Sequence, residues 1–124
     1  AVLLICALLD EKTLTRYHKH CDELGLSALV EAHDEEEIQM AVRAGARIIG
    51  VNNRNLKDFT VDIHNGIRLR EKVPKEILFV AESGIKTREN IVELEKGCVN
   101  AVLIGETFMR SENKEQMLQQ LKGE

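Results

Sequence analysis

The sequence predicts an α/β fold of consecutive strand-and-helix units around a parallel sheet, and three observations carry that reading. Five apolar runs begin near residues 1, 28, 47, 77 and 101, roughly 20 to 30 residues apart, which leaves room for one right-handed crossover helix between each pair. Aromatic residues make up only 3% of the chain and Trp is absent, so the core must come from Leu, Ile, Val and Ala, as in a sheet covered by helices. Polar groups then stand at the C-terminal ends of the later runs: Glu31, Asn52 with Arg54, Glu82 with Ser83 and Gly84, and Gly105 with Glu106. In a parallel sheet those ends share one face, where ligands bind.

Residues 1–9 (AVLLICALL) read as the first strand, and the charged stretch from Asp10 begins its exit loop. Since this strand opens the sequence with no cap, leader or initiating methionine before it, the chain is expected to be cut from something larger. A helix follows over residues 14–24, ended by Gly25, which can take the positive φ of a helix terminus without penalty. The second strand is ALVEA, residues 28–32. Asp34 and Glu37 then have the spacing of a capping box, so a helix runs to Ala44 with Ile38, Ala41 and Val42 on one stripe. The third strand, residues 47–51, leaves through the polar run NNRNL, a costly exit if nothing is bound. Residues 62–73 form a helix stopped by Pro74. The fourth strand covers 77–81, Thr87 caps a helix to Lys96, and the fifth strand covers 101–104. A last helix spans 113–121 with Met117, Leu118 and Leu121 on a short face. Patterning leaves two architectures open: a small doubly wound sheet, or part of an eight-stranded barrel that normally needs about 250 residues. The second would leave two open sheet edges.

With 124 residues and 44% apolar content, the chain is expected to be one domain over 1–124. Its net charge of -4 comes from 17 basic and 21 acidic residues of scattered sign, which argues against a face for nucleic acid. The odd set Cys6, Cys21 and Cys98 lacks metal-ligand spacing; Cys6 and Cys98 lie beside apolar runs, and a reducing compartment with thiols used as small hydrophobes is expected. No apolar run approaches the roughly 20 residues of a membrane span, and no secretory segment is visible, so the expected place is the cytoplasm, away from membranes. His18, His20, His33 and His64 are not spaced as a metal cluster, and neither a metal nor a cofactor is called for.

Glu31 sits among apolar neighbours, where desolvation raises a carboxylate toward a pKa useful for proton transfer; it is the first catalytic candidate. Asn52 can donate and accept, and is the second. Arg54 offers a fork to an anion. Asn53 and Asn55 are read as holding the turn. Ser83 with Gly84, and Gly105 with Glu106, are two small-residue turns whose backbones can close on phosphate oxygens. Either turn alone is an ordinary strand-to-helix connection. A Glu106 carboxylate pointing inward would repel phosphate, so its amide is the expected contact. Neither turn is a nucleotide-binding loop by motif.

The stretches AVLLICALL, ALVEAHDEEE, ARIIGVNNRNL, FVAESGIKT and AVLIGETFMR, in that order over nearly the whole chain, resemble the indole-3-glycerol-phosphate synthase family. The resemblance implies a partial TIM (β/α)8 barrel, with the five units as its strands 4 to 8 and their helices. It implies a lyase of tryptophan biosynthesis that closes the indole ring of a carboxyphenylamino-deoxyribulose phosphate, losing carbon dioxide and water. It further implies that Glu31 is a catalytic carboxylate, that Asn52 and Arg54 orient the substrate with Leu56 and Leu103 against it, and that Ser83, Gly84, Gly105 and Glu106 hold its phosphate. Some members have serine at the position of Glu106, and serine is common where Thr107 stands. The family's first three strands supply another acidic residue and two lysines that nothing here replaces, so the chain alone is expected to be inactive or nearly so. Its open edges would be covered by the missing N-terminal units or by self-association. The alternatives are another sugar-phosphate barrel such as phosphoribosylanthranilate isomerase, against which Glu31, Asn52 and Arg54 speak, and a non-catalytic half-barrel that self-associates.

Overall fold

The computed structural model describes residues 1–124. Five parallel strands, β1 (Val2–Ile5), β2 (Ala28–Ala32), β3 (Ile48–Asn52), β4 (Leu78–Glu82) and β5 (Ala101–Leu103), lie side by side in sequence order. That order settles the architecture. A doubly wound sheet reverses direction at a switch point, whereas strands that only ever add to one side are the arc of a barrel. The chain is a partial (β/α) barrel.

Helices α1 (Glu11–Glu23), α2 (Glu35–Arg43), α3 (Ile63–Arg70) and α4 (Arg88–Lys96) fill the crossovers, followed by the short α5 (Glu106–Arg110) and by α6 (Lys114–Lys122). Their starts are set by side-chain caps: Asp10, Asp34, Asp62, Thr87 and Asn113 each accept from a backbone N–H of the first turn. At α2 the expected box is displaced by one residue, because the Glu37 carboxylate accepts from the N–H of His33 rather than that of Asp34. Strand residues alternate. Leu4, Val30, Ile49, Val51, Phe79 and Ala81 point to the helices and are buried against Leu14, Ile38, Ala41, Leu69 and Leu94. The opposite face carries Leu3, Leu29, Ile48, Leu78, Val80 and Leu103, none of them fully buried.

Three expectations change. The first strand stops at Ile5, since Cys6–Leu8 turn into a 3-10 segment that carries the chain over to Asp10. The first helix begins at Glu11, three residues early, because Asp10 caps it. Cys98 is not a buried hydrophobe: it is exposed, with φ 60, in the turn between α4 and β5. Cys6 and Cys21 are buried, and burial first, with Glu37 second, pushes the Cys6 thiol up to about 12.

Candidate active site

The strand register builds the site. Glu31 on β2 is paired with Gly50 on β3, Asn52 at the end of β3 with Glu82 at the end of β4, and Glu82 with Leu103 on β5. All five have the parity that faces away from the helices. Because a parallel sheet delivers the C-terminal ends of its strands to one rim, these side chains converge there.

Glu82 is the buried centre of that rim, only 4% exposed. A Cβ placed on Gly50 would collide with Glu82 Oε1, so the absence of a side chain on β3 is what lets this carboxyl lean from β4 toward Glu31 on β2. Burial pushes the Glu82 carboxyl up to about 8, and Glu31 adds to it through a hydrogen bond and through its like charge. Glu82 Oε1 is a buried acceptor with no donor, which adds to the preference for a neutral carboxyl.

Next to this pair, Asn52 Oδ1 accepts from the backbone N–H of Arg54 at 3.0 Å, which fixes the side chain and leaves its NH2 group as a donor on the cavity wall. Arg54 Nη2 donates to Glu106 Oε2 at 2.6 Å, and Arg110 Nε donates to Glu106 Oε1 at 3.0 Å. These two guanidinium groups, Arg54 first, hold the Glu106 carboxyl below its ordinary range.

The two small-residue turns stand side by side. Ser83 and Gly84 both have left-handed backbones, φ 67 and 77, and a Cβ on Gly84 would strike Val61. Thr107 Oγ1 donates to the carbonyl of Ile85 at 2.6 Å, tying the start of α5 to the turn that follows β4. Open space adjoins Gly105. Behind the turns, Asn53 is buried; its Oδ1 accepts from Gly66 N–H at 3.0 Å and its Nδ2 donates to the carbonyl of Ser83 at 3.2 Å. Asn55 Oδ1 accepts from Lys57 N–H at 2.9 Å. Both asparagines hold the turn.

One cavity of about 540 Å³ brings together Glu31, Asn52, Arg54, Ser83, Gly84, Leu103, Gly105 and Glu106. Leu56 stands outside its lining, exposed on the loop whose ends are closed by the antiparallel bridge between Arg54 and Val61. The structure adds two residues: Glu82, and Lys86, which brings a cation to the wall near the turns. Glu82 is visible in the sequence as a strand-end polar group, but its reach over Gly50 is set by the register and has no pattern of its own. No group of three or more His, Cys, Asp or Glu is placed to hold a metal ion, and no helix is long and apolar enough to cross a membrane.

The family model for indole-3-glycerol phosphate synthase matches residues 1–121. The chain is 61% identical over 122 residues to the indole-3-glycerol phosphate synthase of Ruminiclostridium cellulolyticum, covering 98% of this chain and 47% of that protein. With the one from Lachnoclostridium phytofermentans the identity is 59% over 121 residues, covering 98% of this chain and 45% of that protein. The chain thus spans about half the length of the curated relatives it matches. Among solved structures, thiamine phosphate pyrophosphorylase from Pyrococcus furiosus aligns with a TM-score of 0.77 at 20% identity, over 99% of this chain and 57% of that one. FabK from Thermotoga maritima aligns with a TM-score of 0.70 at 17% identity, over 90% and 35%. Those two likenesses speak for the fold alone. The family match and the identities near 60% speak for more: this chain belongs to the indole-3-glycerol phosphate synthase family.

Proposed function

We propose that this rim is the phosphate-side half of an active site for indole-3-glycerol phosphate synthesis, the ring closure of a carboxyphenylamino-deoxyribulose 5-phosphate with loss of carbon dioxide and water. The observation that carries the reading is one cavity lined at once by the carboxyl pair Glu31 and Glu82, by Asn52 and Arg54, and by both small-residue turns.

In this reading the backbones at Ser83, Gly84, Gly105 and Glu106 take the substrate phosphate, with Lys86 as a nearby cation. Asn52 and Arg54 orient the substrate, Arg54 at its phosphate end, and Leu103 offers an apolar wall; Leu56 would reach the substrate only if its loop folded over the rim. The reaction needs proton transfer in both directions. The carbonyl oxygen must gain a proton as the ring carbon attacks it, and a proton must be removed as the hydroxyl leaves as water. A raised carboxyl, Glu82, standing beside a second one, Glu31, suits that exchange. The anthranilate carboxylate needs a cation as well, and the cations of this cavity, Arg54 and Lys86, both stand beside the small-residue turns. The chain by itself is therefore expected to be inactive.

The test is to assay the purified chain for indole-3-glycerol phosphate, alone and together with the N-terminal half of the Ruminiclostridium cellulolyticum relative. The expected result is product only from the mixture, with Glu31→Gln in this chain lowering kcat by about 10²- to 10⁴-fold and leaving KM within a few-fold. Product from the chain alone would overturn the half-site reading, and full activity with Glu31→Gln would remove Glu31 from catalysis.

A further inference from the structure

We infer that Glu106 is an internal competitor for Arg54: its carboxylate occupies the arginine and must be displaced toward Arg110 when the phosphate of a phosphate ester binds. This rests on the proposal that the two turns form an anion site. The carboxylate is shared one oxygen at a time, Oε2 with Arg54 from the loop after β3 and Oε1 with Arg110 four residues along α5. The two arginines are unlike. The Arg54 side chain is 31% exposed and lines the cavity with Gly105, whereas that of Arg110 is 80% exposed and lies outside it. Arg54 has no other side-chain acceptor.

Three consequences follow from that geometry. An incoming phosphate finds the fork of Arg54 already filled by a group of its own sign, so its first task is exchange rather than binding to a bare cation. Glu106 is tethered a short distance away and so competes at an effective concentration in the millimolar range, which a free anion at lower concentration does not match. Once displaced, Glu106 keeps Arg110, so its charge leaves the cavity without losing its counter-ion. Every anion that takes Arg54 meets the same penalty, which a phosphate ester with further contacts in the cavity can overcome and a free inorganic anion overcomes poorly. Glu106 thereby sets the affinity threshold of the site for anions, acting through Arg54.

The test is a double-mutant cycle read by phosphate affinity, with inorganic phosphate titrated into the 15N-labelled chain and the amides of Gly84 and Gly105 followed. Four chains are compared: unaltered, Glu106→Gln, Arg54→Gln and the double variant. Glu106→Gln is expected to bind phosphate about 3- to 5-fold more tightly, the range of a partly exposed ion pair. In the Arg54→Gln background the same change is expected to alter affinity by less than about 2-fold. Equal affinity of the unaltered chain and Glu106→Gln overturns the competitor role while leaving the anion site standing. A gain that persists without Arg54 makes Glu106 a source of general repulsion and overturns the inference too. No phosphate-dependent shift in any of the four chains removes the anion site itself, and the inference with it.

Discussion

Glu82 shows how one residue can take its chemistry from a neighbouring strand. Its carboxyl is buried, stands over a glycine, and shares its surroundings with Glu31, so the neutral form is favoured well above the ordinary range. The folded chain holds a proton that the unfolded chain releases near pH 4.5, so between about pH 4.5 and 8 the folded state binds more protons and stability falls as pH rises. Urea unfolding at pH 5 and pH 8 is expected to show a loss of about 1 to 3 kcal/mol across that window. Glu82→Gln, which cannot ionise, is expected to flatten it; an unchanged slope in that variant would place the titration elsewhere. The carboxylates held low by caps and arginines, such as Asp10 and Glu11, act in the opposite direction at lower pH, outside this window. At this scale the sequence is legible where chemistry is local. Glu31, Asn52 and Arg54 can be read from residue type and strand end, whereas the raised carboxyl of Glu82 depends on the register that puts Gly50 between it and Glu31.

Among the elements, those that announce themselves do so through caps and breakers. Asp34, Thr87 and Asn113 start their helices where the sequence puts them, whereas the helix expected to reach 73 already ends at Arg70, with Glu71 as its cap, four residues short of the point where Pro74 would stop it. The short α5 carries no such signal: its cap position is Gly105, with no side chain to bond, and five residues give no apolar period to recognise. The first strand is over-read for a related reason, since AVLLICALL is apolar throughout and the turn at Cys6 comes from packing under α2 rather than from a breaker. The elements also differ in what fastens them. Asp34 makes one exposed cap, and Asp34→Ala is expected to cost about 1 kcal/mol. Asn53 is buried and bonded to Gly66 and to Ser83, so Asn53→Ala strands one buried N–H and one part-buried carbonyl and is expected to cost about 2 kcal/mol or more. Urea midpoints of the two variants check the order; a smaller loss for Asn53→Ala would mean that the loop after β3 is fastened by other contacts.

Taken whole, the molecule is a sheet with one face covered and one open. Strands of parallel sheets are ordinarily buried on both sides, yet Leu3, Leu78 and Leu103 on the inner face are about half exposed, and every residue of the edge strand β5 is exposed. Association is the expected response. Sedimentation of the chain at tens of micromolar is expected to show species larger than one copy, shifting toward one copy on dilution or on addition of the N-terminal half of a relative. A strictly single-copy chain that binds no hydrophobic dye would show that water tolerates the open face. Sequence spacing reveals the unit and its repeat, but the curvature of the sheet is carried by strand order, which no local pattern encodes.

That order has one more consequence. Every strand is hydrogen-bonded only to the strand before it and the strand after it, so no pairing has to wait for a distant stretch of polypeptide to arrive. The loops to be closed are each about one unit long, and the search that slows other parallel sheets is divided into short steps. Such a chain can grow during synthesis by accretion, each new unit docking on the last as it emerges.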